Sequence, residues 1–189
     1  MAMNEPVSPP GPSKELWEGE LGGFSYVERL TLNPGTRSRH EVTRQWMDTL
    51  IPAIRKQDAR GLITCGVFHV FDVAGSLTLG PDPREIAAPL DFLSVHTYPK
   101  SGKVDTALQL LKQLDSAGKP VVIQEMFALS CSLPEFRRFL EGSRATASGW
   151  ISFYWGRTAD EYRTSKDLKD VLMTQWLDFI REAGPAFAD

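Results

Sequence analysis

KPVVIQE, residues 119–125, packs three β-branched apolar side chains into a short run that stops on a carboxylate. Three runs of the same kind accompany it: LITCGVF at residues 62–68, DFLSVH at 91–96 and WISFYW at 150–155. Counted from Val121, the starts at 62, 91, 121 and 150 lie 29, 30 and 29 residues apart. Short, nearly continuous apolar runs suit strands of a parallel sheet buried on both faces. The stretches between them carry helical signals. Residues 104–117 place Leu108, Leu111 and Leu114 on one stripe, with Gly118 as the stop. Ser132 with Glu135, and Ser38 with Glu41, have the capping-box spacing that opens a helix. Residues 167–183 carry Leu168, Val171, Leu172, Trp176, Phe179 and Ile180 at helical spacing. Between the first two runs only residues 83–88 offer a helix, and a short one.

A strand–helix repeat of this period means right-handed βαβ units, which build either an open doubly wound sheet or a closed barrel. An open nucleotide-binding sheet is expected to show a glycine-rich phosphate loop after a strand, and none is present. Polar and aromatic residues gather instead at the C-terminal ends of several strands: His96 and Tyr98, Glu125, and Trp155. A barrel assembles its site in that way, from many βα loops. Strict alternation back from Glu125 puts Ile123 and Val121 on the same inner side. From Trp155 it does the same for Phe153 and Ile151. The expected fold is therefore α/β, part of a (β/α)₈ barrel.

Four motifs succeed one another on consecutive strand ends: Asn4-Glu5-Pro6, His96-Thr97-Tyr98, KPVVIQE ending at Glu125, and GWISFYWG containing Trp155. In order and spacing the chain resembles the second half of a cellulase-type barrel of glycoside hydrolase family 5. That family lies in the retaining clan, with Asn-Glu ending the fourth strand and a nucleophilic Glu ending the seventh. The resemblance covers the chain from the end of strand four to helix eight. It implies that residues 1–189 are the C-terminal part of one barrel domain, with strands one to three not among them. Where the family usually has a small residue before the nucleophile, this chain has Gln124.

The resemblance also implies a chemistry. Glycosidic cleavage passes through an oxocarbenium-like transition state. One carboxylic acid protonates the leaving oxygen while a carboxylate roughly 5–5.5 Å away attacks the anomeric carbon from the other face. By the match, Glu5 is the acid/base and Glu125 the nucleophile. Asn4 holds the sugar 2-hydroxyl, His96 binds substrate or the acid/base region, Tyr98 orients Glu125, and Trp155 floors the adjacent sugar. The implied partner is a β-linked poly- or oligosaccharide, with no metal and no cofactor. Two other classes stay open: a carbohydrate-binding barrel without turnover, and a metal-dependent barrel hydrolase, for which no His/Asp cluster has ligand spacing.

Composition bounds the rest. With 42% apolar residues, 24% charged residues and a net charge of −3, the 189-residue chain lacks the basic excess of a nucleic-acid binder. No apolar run approaches the ~18–20 residues of a membrane span. No signal peptide is visible at the N-terminus, which leaves the compartment open. Cys65 and Cys131 read as ordinary small side chains, and His40 and Trp46 as structural. His69 and Asp72 are candidate subsite residues. Residues 7–37 read as a wall of the cleft or a surface excursion. A half-barrel also leaves apolar inner faces and, unless residues 1–6 cover it, an open strand edge at residues 62–68, so aggregation or self-association is expected.

Overall fold

The computed structural model describes Pro6, Ser8 and residues 11–15, 17–21, 24–68 and 81–187. Strands β1 (Trp17–Leu21) and β2 (Phe24–Glu28) form an antiparallel hairpin. Next come helix α1 (Arg39–Gln57), β3 (Gly66–Phe68), α2 (Pro83–Ile86), β4 (Leu93–His96), α3 (Val104–Gln113) and β5 (Val121–Met126). The order ends with α4 (Leu133–Ser143), β6 (Ala147–Ser152), α5 (Ala159–Tyr162) and α6 (Leu168–Ala183). Strands β3 to β6 make one four-stranded parallel sheet in sequence order, joined by helical crossovers. Among the described residues no helix is long and apolar enough to cross a membrane.

Local chemistry explains the elements. Ser38 and Glu41, Ser132 and Glu135, and Thr158 and Glu161 form reciprocal capping boxes at α1, α4 and α5. The third of these went unread in the sequence. After α3 the chain tightens into a 3₁₀ turn, Leu114–Ala117, and stops at Gly118, whose φ of 61° is left-handed. The run at 62–68 yields a strand only from Gly66. Upstream, Ile63 N–H donates to Asp91 Oδ2 (2.6 Å) and Thr64 Oγ1 to the Phe92 carbonyl (2.8 Å), beside a backbone bond from Asp91 N–H to the Ile63 carbonyl (2.9 Å). Arg55, in the last turn of α1, pairs with the same Asp91 oxygen at 2.5 Å. The hydrogen bond from Ile63 N–H, aided by Arg55, lowers the Asp91 pKa. The lower end of α1 is thereby tied to the start of β4.

The core lies between the sheet and its helices. Val95, Val121 and Ile123 are buried there together with Leu111, Phe136 and Phe139. Each such side chain contributes about 1.5–3 kcal/mol relative to exposure. This corrects the alternation expected for β5: Val121 and Ile123 face the helices, not the barrel interior. The cause is a β-bulge. Val95 pairs with Ile123 but His96 with Glu125, and on the other side Ile123 pairs with Trp150 but Met126 with Ser152. One extra residue in β5 against both neighbours breaks the period of two and re-aims the side chains beyond it. Ile151 of β6 and Phe153, just beyond its end, are both exposed.

Candidate active site

The C-terminal ends of β4 and β5 bring three of the sequence-nominated residues together. Without the bulge, Glu125 would follow Ile123 into the helix layer; with it, the carboxylate comes to the side of Ser94 and His96. Gln124 is the residue beside the irregularity, and its Oε1 accepts a hydrogen bond from Ser94 Oγ. Tyr98 Oη donates to Glu125 Oε2 at 3.0 Å. His96 Nδ1 lies 3.5 Å from the same oxygen, with the imidazole fully enclosed and the carboxylate 15% exposed. A hydrogen bond from a neighbouring phenol restrains a largely enclosed carboxylate, which suits nucleophilic or electrostatic work.

The loops beyond these strands are locked to each other. Lys100 and Ser130 form a parallel bridge, and Ser101 N–H donates to the Ser130 carbonyl at 2.8 Å. Glu135 completes the tie. Its carboxylate caps α4 through Ser132 and also accepts from Gly102 N–H (2.8 Å) and Ser101 Oγ (3.1 Å). Those bonds, led by the one from Gly102, hold the Glu135 pKa down to about 2. The loop carrying Tyr98 and the loop following Glu125 are therefore one rim.

On the other side, Phe127 stacks on Tyr154 at 6.0 Å and meets Trp176 edge-on at 5.4 Å. Tyr154 Oη bonds Tyr162 Oη at 2.6 Å; desolvation and that bond push the Tyr154 phenol up to about 12. Sequence reasoning missed this cluster, whose only signal was the aromatic density around Trp155. Trp155 itself is 93% exposed. Burial pushes Cys65 up to about 12 and Cys131 to about 11, so neither is primed as a thiolate nucleophile. Among the described residues, no group of three or more His, Cys, Asp and Glu stands close enough to hold a metal ion.

Asn4 and Glu5, nominated as the other half of the site, and His69 and Asp72 lie outside the described residues. Pro6 and Ser8, immediately after the Asn-Glu pair, are buried. Ser8 Oγ donates to the Arg39 carbonyl and lies 3.3 Å from Thr43 Oγ1. The chain leaving Asn4-Glu5-Pro6 is thus fastened to the opening turns of α1.

No protein-family model and no curated protein matches the chain. Solved structures do. An endo-1,4-β-mannanase from Rhizomucor miehei superposes with a TM-score of 0.53 at 15% identity, over 80% of this chain and 48% of that one. The chain has the fold of part of an α/β barrel. It spans about half the length of the mannanase it matches. An exo-β-1,3-glucanase of GH128 from Aureobasidium namibiae overlaps at a TM-score of 0.43 and 17% identity, over 65% of this chain and 51% of that one. A β-glucuronidase from Bacteroides uniformis does so at 0.43 and 12%, over 60% and 15%.

Proposed function

We propose that the chain belongs to a retaining glycoside hydrolase acting on a β-linked poly- or oligosaccharide, with Glu125 as nucleophile and Glu5 as acid/base. The observation that carries the reading is the Tyr98–Glu125 hydrogen bond at the C-terminal edge of a parallel barrel sheet. Catalytic groups of barrel enzymes stand on that edge, and a nucleophilic carboxylate must be ionised and aimed when the sugar arrives. Tyr98 contributes to the aim, because a donor to one oxygen restrains the carboxylate's rotation. Attack forms the bond from a Glu125 oxygen to the anomeric carbon while Glu5 gives its proton to the departing oxygen. Glu5, deprotonated by that step, then takes a proton from water as the water releases the sugar from Glu125. His96 shields and borders the nucleophile, Asn4 holds the 2-hydroxyl, and Trp155 offers an apolar face to a sugar ring. The motif order of family 5 supports that family, and the mannanase likeness is compatible with it.

The test is hydrolysis of a panel of β-linked glycans by the purified protein and by Glu125→Gln. The expected result is turnover that falls by several orders of magnitude in the variant while the fold persists. Turnover unchanged by the substitution removes Glu125 from the role. Absence of both hydrolysis and binding across the panel removes the carbohydrate reading altogether.

A further inference from the structure

Gln124 is the one amide side chain in the strand VVIQEM, and it stands at the bulge. The rungs to β4 pass from Val95–Ile123 directly to His96–Glu125, so the ladder steps over it. Toward β6 the same stretch runs from Ile123 to Met126 while its neighbour advances only from Trp150 to Ser152. Two consecutive side chains consequently share one face. Ile123 is buried among the helices; Gln124 turns the other way and reaches Ser94, and Glu125 joins it there, held by Tyr98. Ser94 is 1% exposed, and a hydroxyl that far from water keeps an acceptor or loses free energy. Its acceptor is the side-chain carbonyl of Gln124.

We infer that Gln124 is a positioning residue: its bond to Ser94 pins the β5 bulge and thereby aims the Glu125 carboxylate at Tyr98. The catalytic side of this inference rests on the reading of Glu125 as nucleophile. A surplus residue has no fixed place in a strand by itself, because the ladder can re-form with the surplus one position earlier or later. Each place turns a different side chain inward. An earlier place would lift Ile123, fully buried, out of the helix layer, and the apolar core resists that. A later place is opposed by the amide. In an unbroken ladder Gln124, the residue after Ile123, would take the rung opposite His96. The bond to Ser94, two residues before His96, draws Gln124 back from that rung, and Glu125 occupies it.

A double-mutant cycle in urea unfolding tests this without reference to activity. Tyr98→Phe is measured in the wild type and beside Gln124→Met, which keeps the side-chain length and loses the carbonyl. Ser94→Ala breaks the same bond from the other side and decides if Gln124→Met fails to fold. Ser94→Thr keeps the hydroxyl. The expected result is a loss of stability from Tyr98→Phe in the wild type and in Ser94→Thr. That loss should largely disappear beside Gln124→Met or Ser94→Ala. Losses of equal size in every background, zero included, overturn the inference. On a hydrolysed β-glycan, Gln124→Met should lower kcat about tenfold or more with KM near wild type, as a misplaced reacting group does. An unchanged kcat, in a protein that Glu125→Gln inactivates, overturns it as well. Turnover that survives Glu125→Gln brings down the nucleophile instead, and the unfolding cycle then decides the positioning alone.

Discussion

Tyr98 Oη donates to Glu125 Oε2 across 3.0 Å, joining the exits of two adjacent parallel strands through a phenol and a carboxylate. The contact depends on a one-residue irregularity in β5, without which Glu125 would turn toward the helices. Tyr98→Phe keeps the ring and removes the donor. A hydrogen bond to a charged group is worth about 1.5–3 kcal/mol, so kcat/KM on a hydrolysed β-glycan is expected to fall by about one to two orders of magnitude. Steady-state kinetics on the variant check it, and an unchanged kcat/KM would detach Tyr98 from the carboxylate's function.

The side that the first half of β5 turns to the helices gives a second measurement. Ile123 is fully buried in the core, while its neighbour Val122 is only partly buried on the opposite face. Ile123→Ala should cost about 2–5 kcal/mol in urea unfolding. Val122→Ala should cost clearly less. Equal losses would mean that Ile123 does not sit in the helix-facing core.

Glu135 gives the protein an acid-sensitive joint. Its folded pKa of about 2 lies below its ordinary 4.5, so the unfolded chain binds the proton more readily. Its contribution is complete above about 4.5 and is lost as pH falls toward 2. The melting-temperature gap between wild type and Glu135→Gln should therefore be widest at neutral pH and close through that window. A gap constant from pH 7 down to 2 would place the effect elsewhere.

Gly118 isolates backbone strain from packing. Its φ is 61°, and an added Cβ would meet no atom within 4 Å. Gly118→Ala should destabilise by about 1–2 kcal/mol through conformation alone, with Gly118→Asn losing less. Chemical denaturation of the pair checks it; a neutral Ala variant would show that the turn relaxes without cost.

Trp155, at 93% exposure, should behave oppositely to a core residue. Trp155→Ala is expected to leave stability within about 0.5 kcal/mol. Titration calorimetry should show weakened affinity for any β-linked oligosaccharide the protein binds. Unaltered affinity for every ligand found would remove Trp155 from the proposed binding role.

Much of the architecture was legible because it rests on periodicity. The four apolar runs, the stripe of α3 and the boxes at Ser38 and Ser132 all announce elements that the chain then forms. The bulge was not legible, since an inserted residue leaves no mark in composition beyond a polar Gln124 in an apolar strand. Alternation counted back from Glu125 therefore put Val121 and Ile123 on the wrong side. The late start of β3 was hidden for a different reason: Asp91, distant in sequence, captures Ile63 N–H before the ladder can. The hairpin β1–β2 is short, and its strands WEGEL and FSYVE meet at a Gly-Gly pair inside a segment that carries no other repeat. At the site, residue types at strand ends were enough to nominate His96, Tyr98 and Glu125. The Phe127–Tyr154–Tyr162 cluster needed the third dimension.

The Lys100–Ser130 bridge extends the sheet by one rung past the last residues of β4 and β5. Two segments that would otherwise wander separately in solvent are thus frozen during folding rather than on encounter with a ligand. Ordering a loop residue costs about 1–2 kcal/mol, and here that entropy has been spent before any ligand arrives. Whatever docks against this rim meets a rigid edge, so its affinity is not diminished by the work of building one. The same rigidity narrows the range of shapes it can accept.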